Sequence, residues 1–165
     1  MLIGIMSDSH DNIPATNDAV ARLNREGAER VLHAGDIVSP FVLTSLSKIA
    51  VPMTLVFGNN DGDHALLTKK CSEYPHMRIA GSFARIQESR FSIALLHGSD
   101  KELLMTLKEC SSLDLIVSGH SHIAIIEKVG TKIHINPGEV CGYLSGRRTV
   151  ALFDTKTRNG EILDL

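Results

Sequence analysis

Several features that identify other classes of protein are scarce or missing in this sequence. It contains no Trp, two Tyr and five Phe, so few rings are available to stack on nucleic-acid bases. The formal net charge of −2 provides no general attraction for nucleic acid. No apolar run approaches the roughly 18 residues of a membrane-spanning helix, and the first run has no basic leader typical of a signal peptide. We therefore expect no membrane segment.

Cysteine is also scarce. Cys71, Cys110 and Cys141 are far apart, odd in number and form no CxxC pair. This pattern argues against a disulfide framework and against a structural zinc site. Unpaired thiols are typical of a reducing compartment, so we expect reduced cysteines and a cytoplasmic location.

The remaining composition is that of an ordinary globular protein, with 43% hydrophobic and 22% charged residues. A chain of 165 residues fits one domain that buries roughly 70% of its unfolded surface. Strand-like and helical stretches alternate in the first half, and strands dominate the second, which indicates the α/β class. Because no repeat or linker divides the chain, we expect a single domain over residues 1–165.

Local signals predict where the helices and turns lie. Three helices are expected in the first half: one capped by Asn12 and ending near Gly27, one beginning at Ser39 and Pro40 with Phe41 on its apolar face, and one over residues 63–73. In the second half, strands turn near Ser89 and at Gly130, and Ser99 with Glu102 resembles a capping box ahead of a fourth helix. Asn159 and Gly160 predict the tight turn of a final hairpin.

Side chains able to ligate a metal follow five of the apolar, strand-like runs. These seven residues are Asp8, His10, Asp36, Asn59, His97, His120 and His122. In an open α/β sheet, ligands bind in the crevice outside the carboxyl ends of the strands, where neighbouring loops converge. The five strand ends are therefore predicted to share one site.

The spacing of these residues suits metal binding. Side chains two apart on an extended segment point the same way, about 6.6 Å apart, so Asp8 with His10 and His120 with His122 can serve one centre or a close pair of ions. A single aspartate after a strand is more often a turn or helix-capping residue, a single histidine is more often packed, and Asn59 alone would merely shape a turn. Their coincidence at five strand ends favours a metal site of mixed oxygen and imidazole ligands, which suits manganese, iron, zinc or nickel.

At these residues the chain resembles a known family. Its successive blocks are Asp8-Ser9-His10, Gly35-Asp36, Gly58-Asn59-Asn60-Asp61, His97-Gly98 and Gly119-His120-Ser121-His122. They resemble, in order, the motifs of the calcineurin-like metallophosphoesterases, and most closely those of the small phosphodiesterase branch of bacteria and archaea. Asn136-Pro137-Gly138 resembles a late motif of that branch.

The resemblance implies a fold and a set of ligands. The fold is a four-layer α/β sandwich of two mixed β-sheets flanked by helices. One divalent ion is expected on Asp8, His10, Asp36 and His122. A second is expected on Asp36, Asn59, His97 and His120, with Asp36 as the bridge. Manganese is the first choice for both ions, with nickel, zinc or iron as alternatives.

The implied activity is hydrolysis of small phosphodiesters through in-line attack by a hydroxide that bridges the two metals, with Asn59, Asn60 and His97 as catalytic residues. Two divalent ions would outweigh the negative charge of Asp8 and Asp36, so the site favours an anionic substrate. Many relatives carry histidine at the position of Asn60, and an amide cannot serve as a general acid near pH 7. Either water or another side chain then supplies the proton, or the enzyme prefers substrates with good leaving groups.

Several nearby residues are expected to play supporting parts. Asp61 either orients a ligand or caps the following helix, and His33 either packs or supports a ligand from behind. His64, His76 and His134 match no ligand motif, so ordinary surface or core positions are expected for them. Arg147 and Arg148 are expected to form a solvated turn.

Two other functions fit the same fold. The retromer subunit resembles a metallophosphoesterase yet serves mainly as a protein-binding scaffold, so a catalytically weak scaffold is one alternative. A nuclease is the other, but the chain offers no basic stripe, so nucleic acid is not expected as a partner. A small phosphodiester is the expected substrate, and self-association into a homo-oligomer is left open.

Overall fold

The structure is a computed structural model that describes residues 1–88 and 91–165. Eleven strands are present in this part of the chain: β1 (Leu2–Met6), β2 (Arg30–His33), β3 (Met53–Leu55), β4 (Met77–Ile79), β5 (Phe83–Glu88), β6 (Phe91–Leu96), β7 (Leu115–Val117), β8 (Ala124–Val129), β9 (Lys132–Pro137), β10 (Thr149–Asp154) and β11 (Asn159–Asp164). The four α-helices in the same ranges are α1 (Ile13–Arg25), α2 (Leu43–Leu46), α3 (His64–Cys71) and α4 (Lys101–Glu109).

The strands form two mixed sheets. The first has six strands in the order β11-β10-β1-β2-β3-β4, of which β1 to β4 run parallel. The second has five strands in the order β5-β6-β7-β9-β8, with β6, β7 and β9 parallel. Because parallel strands of a sheet end at the same edge, the loops after β1, β2 and β3 converge, and so do those after β6 and β7.

Alternating side chains divide the core into layers. Ile3 and Ile5 of β1 pack between the sheets against residues of the second sheet such as Leu95 and Val117. The opposite face of the first sheet, including Met6, packs on α1, α2 and α3. The outer face of the second sheet carries a smaller cluster, to which α4 contributes partly buried leucines. The predicted four-layer sandwich, helices–sheet–sheet–helix, is confirmed.

Two predicted turns and caps agree with the structure. Asn12 caps α1, its side-chain oxygen accepting a hydrogen bond from Ala15 N at 3.2 Å, and the chain leaves the helix through Gly27 with a φ of 75°. Gly130, with a φ of 62°, lies in the turn between β8 and β9. The predicted turn near Ser89 lies outside the described residues. None of the helices in the described ranges has the length and apolar character needed to cross a bilayer.

The second and fourth helices differ from their predictions. Instead of one helix from Pro40, a 3-10 turn (Pro40–Val42) leads into the single turn of α2, and Phe41 is 80% exposed because the turn points its side chain away from the core. The predicted Ser99 cap is wrong by one residue. Asp100 caps α4 and accepts a hydrogen bond from Leu103 N at 3.0 Å.

The final hairpin also differs. Asn159 and Gly160 are not its turn but the first residues of β11, paired with Asp154 and Phe153. A Cβ at Gly160 would lie 3.1 Å from Ile126 Cδ1 of the second sheet, so a side chain there would be tightly packed between the sheets. The turn spans residues 155–158 instead, where Asp154 accepts hydrogen bonds from the backbone and a hydroxyl of the turn.

Candidate metal centre

The seven predicted ligands lie together at the carboxyl edge of the two sheets. Asp36 Oδ2 is 3.4 Å from both His10 Nε2 and His97 Nε2, and Asp8 Oδ1 is 3.4 Å from His122 Nε2. Asn59 Oδ1 is 3.0 Å from His97 Nε2, and the His120 ring meets the His97 ring with centroids 5.1 Å apart. The first sheet contributes the aspartates, His10 and Asn59, and the second sheet contributes the other three histidines.

Five of these residues have a left-handed backbone, and for the two histidine-containing pairs, Asp8 with His10 and His120 with His122, this contradicts the extended segments predicted. Their φ values are 55° at Asp8, 41° at His10, 58° at Asp36, 67° at His120 and 59° at His122. A non-glycine residue in this region costs on the order of 1–3 kcal/mol, so other contacts must hold it there. Backbone hydrogen bonds do so: Asp8 N donates to Gly35 O at 3.0 Å, and His10 N donates to Asp36 O at 3.1 Å. The carboxylates and imidazoles are thus aimed by strained loops.

Two glycines allow these loops to approach one another closely. A Cβ at Gly58 would overlap the carboxylate and the amide nitrogen of Asp36. A Cβ at Gly119 would overlap Ser7 Oγ and Asp8 Oδ2. Both positions therefore require glycine for steric reasons.

The hydrogen bonds behind the histidines fix their tautomers. His97 Nδ1 lies 2.7 Å from Ala34 O, and a carbonyl can only accept, so Nδ1 carries the proton. His122 Nδ1 lies 2.7 Å from Glu139 Oε2 and donates in the same way. In the neutral rings, each Nε2 then presents a lone pair to the oxygens of Asp36 and Asp8.

In these contacts a ring nitrogen with a lone pair faces a carboxylate oxygen, so both atoms are hydrogen-bond acceptors. Asp8 is 0% exposed, yet its Oδ1 has no hydrogen-bond donor among the described residues, and neither does the buried His10 Nε2. Ligating atoms of Asp8, Asp36 and His97 lie within 4.8 Å of one another. Buried acceptors without donors are costly unless a cation lies between them, so the residues present fit bound metal ions.

Asp36 is held ionised at the centre of the cluster. Burial acts to raise the pKa of Asp36, but the nearby His97 ring and the hydrogen bonds from Asn60 outweigh it and leave the pKa below the ordinary carboxyl value. Asn60 donates twice, from N to Oδ1 at 2.9 Å and from Nδ2 to Oδ2 at 2.7 Å. Its amide thus contacts a carboxylate of the cluster.

Asp61 lies directly behind Asp36. Its carboxylate accepts hydrogen bonds from the backbone amides of Asp36 at 3.1 Å, Gly58 at 2.6 Å and Val38 at 2.6 Å. The alternative that Asp61 caps the following helix is wrong, because Asp63 caps α3. Asp61 therefore fixes the loop that carries Asp36 against the loop after β3.

His33 is fully buried beneath the loops. Its Nδ1 accepts a hydrogen bond from Gly35 N at 3.2 Å, and its Nε2 lies 3.2 Å from Ser9 Oγ. Burial lowers the pKa of His33 to about 4, so the ring is neutral near pH 7. It supports the two loops that carry Asp8 and Asp36 from behind.

The sequence did not reveal the part played by Glu139. This 0% exposed carboxylate accepts hydrogen bonds from His122 Nδ1, Cys141 Sγ at 3.0 Å, Tyr143 N at 3.0 Å and Ser145 Oγ at 2.6 Å. Burial acts to raise the pKa of Glu139, but these donors lower it to about 2. A glutamate directly after Asn136-Pro137-Gly138 was the available signal.

Cys141 also lies closer to the cluster than its sequence context indicates. Its thiol is buried and groups with ring nitrogens of His10 and His122 within 4.8 Å. Burial and the hydrogen bond to Glu139 raise the pKa of Cys141 to about 12, so the sulfur keeps its proton. In this state it serves as a donor to Glu139.

The residues given ordinary roles lie apart from the cluster. The His64 ring stacks on Phe57 with centroids 3.8 Å apart, and His134 lies between Ser118 and Glu127. Arg147 and Arg148 form exposed ion pairs with acidic side chains.

Comparison with known proteins gives three related matches. Residues 1–158 match the model of a family described as the calcineurin-like phosphoesterase superfamily domain. The chain is 33% identical over 158 residues to phosphodiesterase MJ0936 of Methanocaldococcus jannaschii, an alignment that covers 96% of this chain and 95% of the relative. It is 26% identical over 157 residues to phosphodiesterase YfcE of Escherichia coli K12, covering 85% and 79% of the two chains.

Solved structures of related proteins share the fold of this chain. A structure described as a novel archaeal phosphodiesterase superposes with a TM-score of 0.94 at 32% identity and covers 100% of both chains. Vps29 of Entamoeba histolytica in complex with zinc superposes with a TM-score of 0.73 at 22% identity over 99% of both chains. At that identity the second likeness shows the fold alone.

Proposed function

We propose that this chain, which belongs to the calcineurin-like phosphoesterase superfamily, hydrolyses small phosphodiesters with two divalent metal ions. Family membership makes it a phosphoric ester hydrolase, and the curated relatives are named phosphodiesterases. The contact that carries the proposal is that of the buried Asp8 Oδ1 with His122 Nε2 at 3.4 Å, since Asp8 Oδ1 has no hydrogen-bond donor among the described residues. Such a contact is stable when cations occupy the gap.

The two ions would divide the seven side chains between them. Asp8, His10, Asp36 and His122 would hold the first, and Asp36, Asn59, His97 and His120 the second. The equal 3.4 Å distances from Asp36 Oδ2 to His10 and His97 support Asp36 as the shared ligand. Manganese is our first choice for both, with nickel, zinc or iron as alternatives, because the ligands are carboxylate, amide and imidazole. Bound divalent ions supply Lewis-acid chemistry: they make hydroxide available near neutral pH and offset phosphate charge.

The side chains around the ions would position and hold them. Glu139 keeps the proton of His122 on Nδ1, and Ala34 O does the same for His97, so that each Nε2 is free to ligate. Asn60 keeps Asp36 oriented through both of its hydrogen bonds. Since Asn60 is an amide, it does not protonate the leaving group, and esters with good leaving groups should be preferred.

The proposal also covers the cellular location and the alternative functions. The buried, free Cys71 and Cys141 support a cytoplasmic location. A scaffold without activity is not favoured, because the curated relatives carry the name phosphodiesterase. A nuclease is not favoured, because the sequence offers no basic stripe and few aromatic residues for base stacking. Light scattering measures whether the chain forms a homo-oligomer.

Hydrolysis of bis(p-nitrophenyl) phosphate tests the proposal. The chain is freed of metal, reloaded separately with manganese, nickel or zinc, and assayed beside an apo control and the Asp36→Asn variant. We expect about two bound ions per chain and activity that depends on them, both reduced in the variant. Stoichiometric metal without hydrolysis of any ester would support the scaffold instead.

The nucleophile is tested separately in isotopically labelled water. Attack by water at phosphorus places one solvent oxygen in the phosphate-containing product, and mass spectrometry detects it. Absence of the label would contradict direct attack.

A further inference from the structure

A cavity of about 220 Å³ opens beside the proposed second ion. Asn59 and His97 form its wall toward the metal centre, and Phe57 and Leu103 form apolar parts of the lining. Asp100, which caps α4, completes the wall contributed by that helix. A group attached to a phosphate at the metal centre would therefore have direct access to this space.

The apolar part of the wall is well supported. Phe57 is 8% exposed, and the His64 ring covers it at a centroid distance of 3.8 Å with an interplanar angle of 4°. Leu103 is 39% exposed on the first turns of α4. Apolar surface of this kind stabilises an apolar ligand group by excluding water from it.

The charge on the wall has one sign. Among the described residues, no lysine or arginine lines the cavity, and Asp100 is the one acidic residue of the lining. One oxygen of Asp100 accepts the amide hydrogen of Leu103, and the side chain is exposed. A ligand group that carried its own negative charge would meet Asp100, and no Lys or Arg side chain among the described lining residues would offset that repulsion.

We propose that this cavity receives the leaving alcohol of the substrate, and that this alcohol is partly apolar and carries no anionic charge, with a cationic group bound best. The inference rests on the proposed function, since the phosphate is assumed to lie at the metal centre. In this proposal Leu103 contacts the alcohol, and Asp100 disfavours an anionic alcohol and favours a cationic one. A nucleotide with a further phosphate is a poor occupant, which separates this site from that of a nuclease.

A set of three substrates tests selection by charge. They are methyl aryl phosphates whose aryl group carries a trimethylammonium, a tert-butyl or a carboxylate substituent; the first two have the same shape. Asp100→Asn removes the charge and keeps a good helix cap. We expect kcat/KM of the variant relative to wild type to fall roughly three- to fivefold for the cationic ester, to rise similarly for the anionic ester, and to stay unchanged for the tert-butyl ester. Comparing the two proteins on each ester cancels differences in leaving-group reactivity.

A second pair of variants tests the apolar wall. Leu103→Ala should raise KM for the tert-butyl ester several-fold with little change in kcat, because the contact is with the bound alcohol. Met105→Ala is the matched control, since Met105 lies on the same helix, is 64% exposed and does not line the cavity. Equal effects of the two substitutions, or unchanged charge selectivity in Asp100→Asn, would overturn the proposal.

Binding of the product phenols separates the cavity from the catalytic proposal. The three phenols are titrated into the full chain, and the methyl signals of Leu103 are followed by nuclear magnetic resonance. Shifts that are largest with the cationic phenol and smallest with the anionic one support the cavity even if the chain hydrolyses no ester. Active enzyme without such shifts would leave the proposed function intact and refute the cavity.

Discussion

Replacing Glu139 with Gln tests whether this buried carboxylate holds the metal centre together. The substitution keeps the shape of the side chain but turns one acceptor oxygen into an NH2 donor. Every group around Glu139 is a donor: His122 Nδ1, Cys141 Sγ, the Ser145 hydroxyl and the backbone amides of residues 143–145. An NH2 at the Oε2 position leaves His122 Nδ1 and Tyr143 N without their acceptor, and an NH2 at the Oε1 position leaves Ser145 N without its acceptor.

The expected loss of stability follows from the number of hydrogen-bond donors that the substitution leaves unpaired. A buried donor without an acceptor costs about 1–3 kcal/mol, and the new contacts partly relax, so we expect the free energy of unfolding to fall by roughly 2–4 kcal/mol. His122 also loses the carboxylate that fixes its Nδ1 proton. Changes behind a metal-bound histidine typically weaken metal binding about 10- to 100-fold.

Urea unfolding of the metal-free chain, followed by circular dichroism, measures the first effect. Calorimetric titration with manganese measures the second. Glu109→Gln serves as the control, since Glu109 is exposed at the end of α4 and both quantities should be unchanged there. If the Glu139 variant kept wild-type stability and metal affinity, the assignment of Glu139 to positioning His122 would be refuted.

Three further predictions concern other parts of the molecule. Gly58→Ala should reduce manganese affinity at least tenfold in calorimetry because its Cβ overlaps Asp36, whereas Gly62→Ala, with no atom within 4 Å, should not. Burial acts to raise the pKa of Asp114, but hydrogen bonds from a backbone amide and a guanidinium outweigh it and lower the pKa. The Asp114 carboxylate therefore stabilises the fold at pH values above its ordinary pKa of 3.8, and this stabilisation is lost as the pH falls further. Asp114→Asn should lower the free energy of unfolding by about 1 kcal/mol or less at pH 7, and acid unfolding curves should show that the variant loses less stability than wild type as the pH falls. Asn60→His should raise turnover of alkyl phosphate esters more than of nitrophenyl esters, because only poor leaving groups need a proton; equal gains on both would contradict a general acid at this position.

The sequence pattern was sufficient to predict the α/β class and the edge at which the candidate ligands gather, and the family resemblance implied the four layers. Apolar runs such as Leu2–Met6 and Phe91–Leu96 are strands, and Asp8 and His97 follow them as expected. This worked because burial of alternating faces is a local property of the sequence, and because parallel strands must end at a common edge. The metal roles of the seven side chains stay predictions, although the structure brings all seven together.

Local patterns failed where a distant residue decided the conformation. Asn159-Gly160 has the composition of a tight turn, but pairing with Asp154 and Phe153 of β10 places both residues within a strand. Asp61 could be a cap or a support from its sequence position, and only contacts with the loop after β2 distinguish the two.

The sequence by itself determined which side chains are available to hold metal and at which strand ends they stand, since strand formation follows from the apolar pattern. Only the tertiary structure decided how those side chains are aimed. The left-handed backbone at Asp8 and Asp36 is stabilised by hydrogen bonds between neighbouring loops, and Glu139 reaches His122 from a later loop. A strained φ, a fixed tautomer and an acceptor without a donor all depend on partners brought together by folding, so none of them has a local signature in the chain.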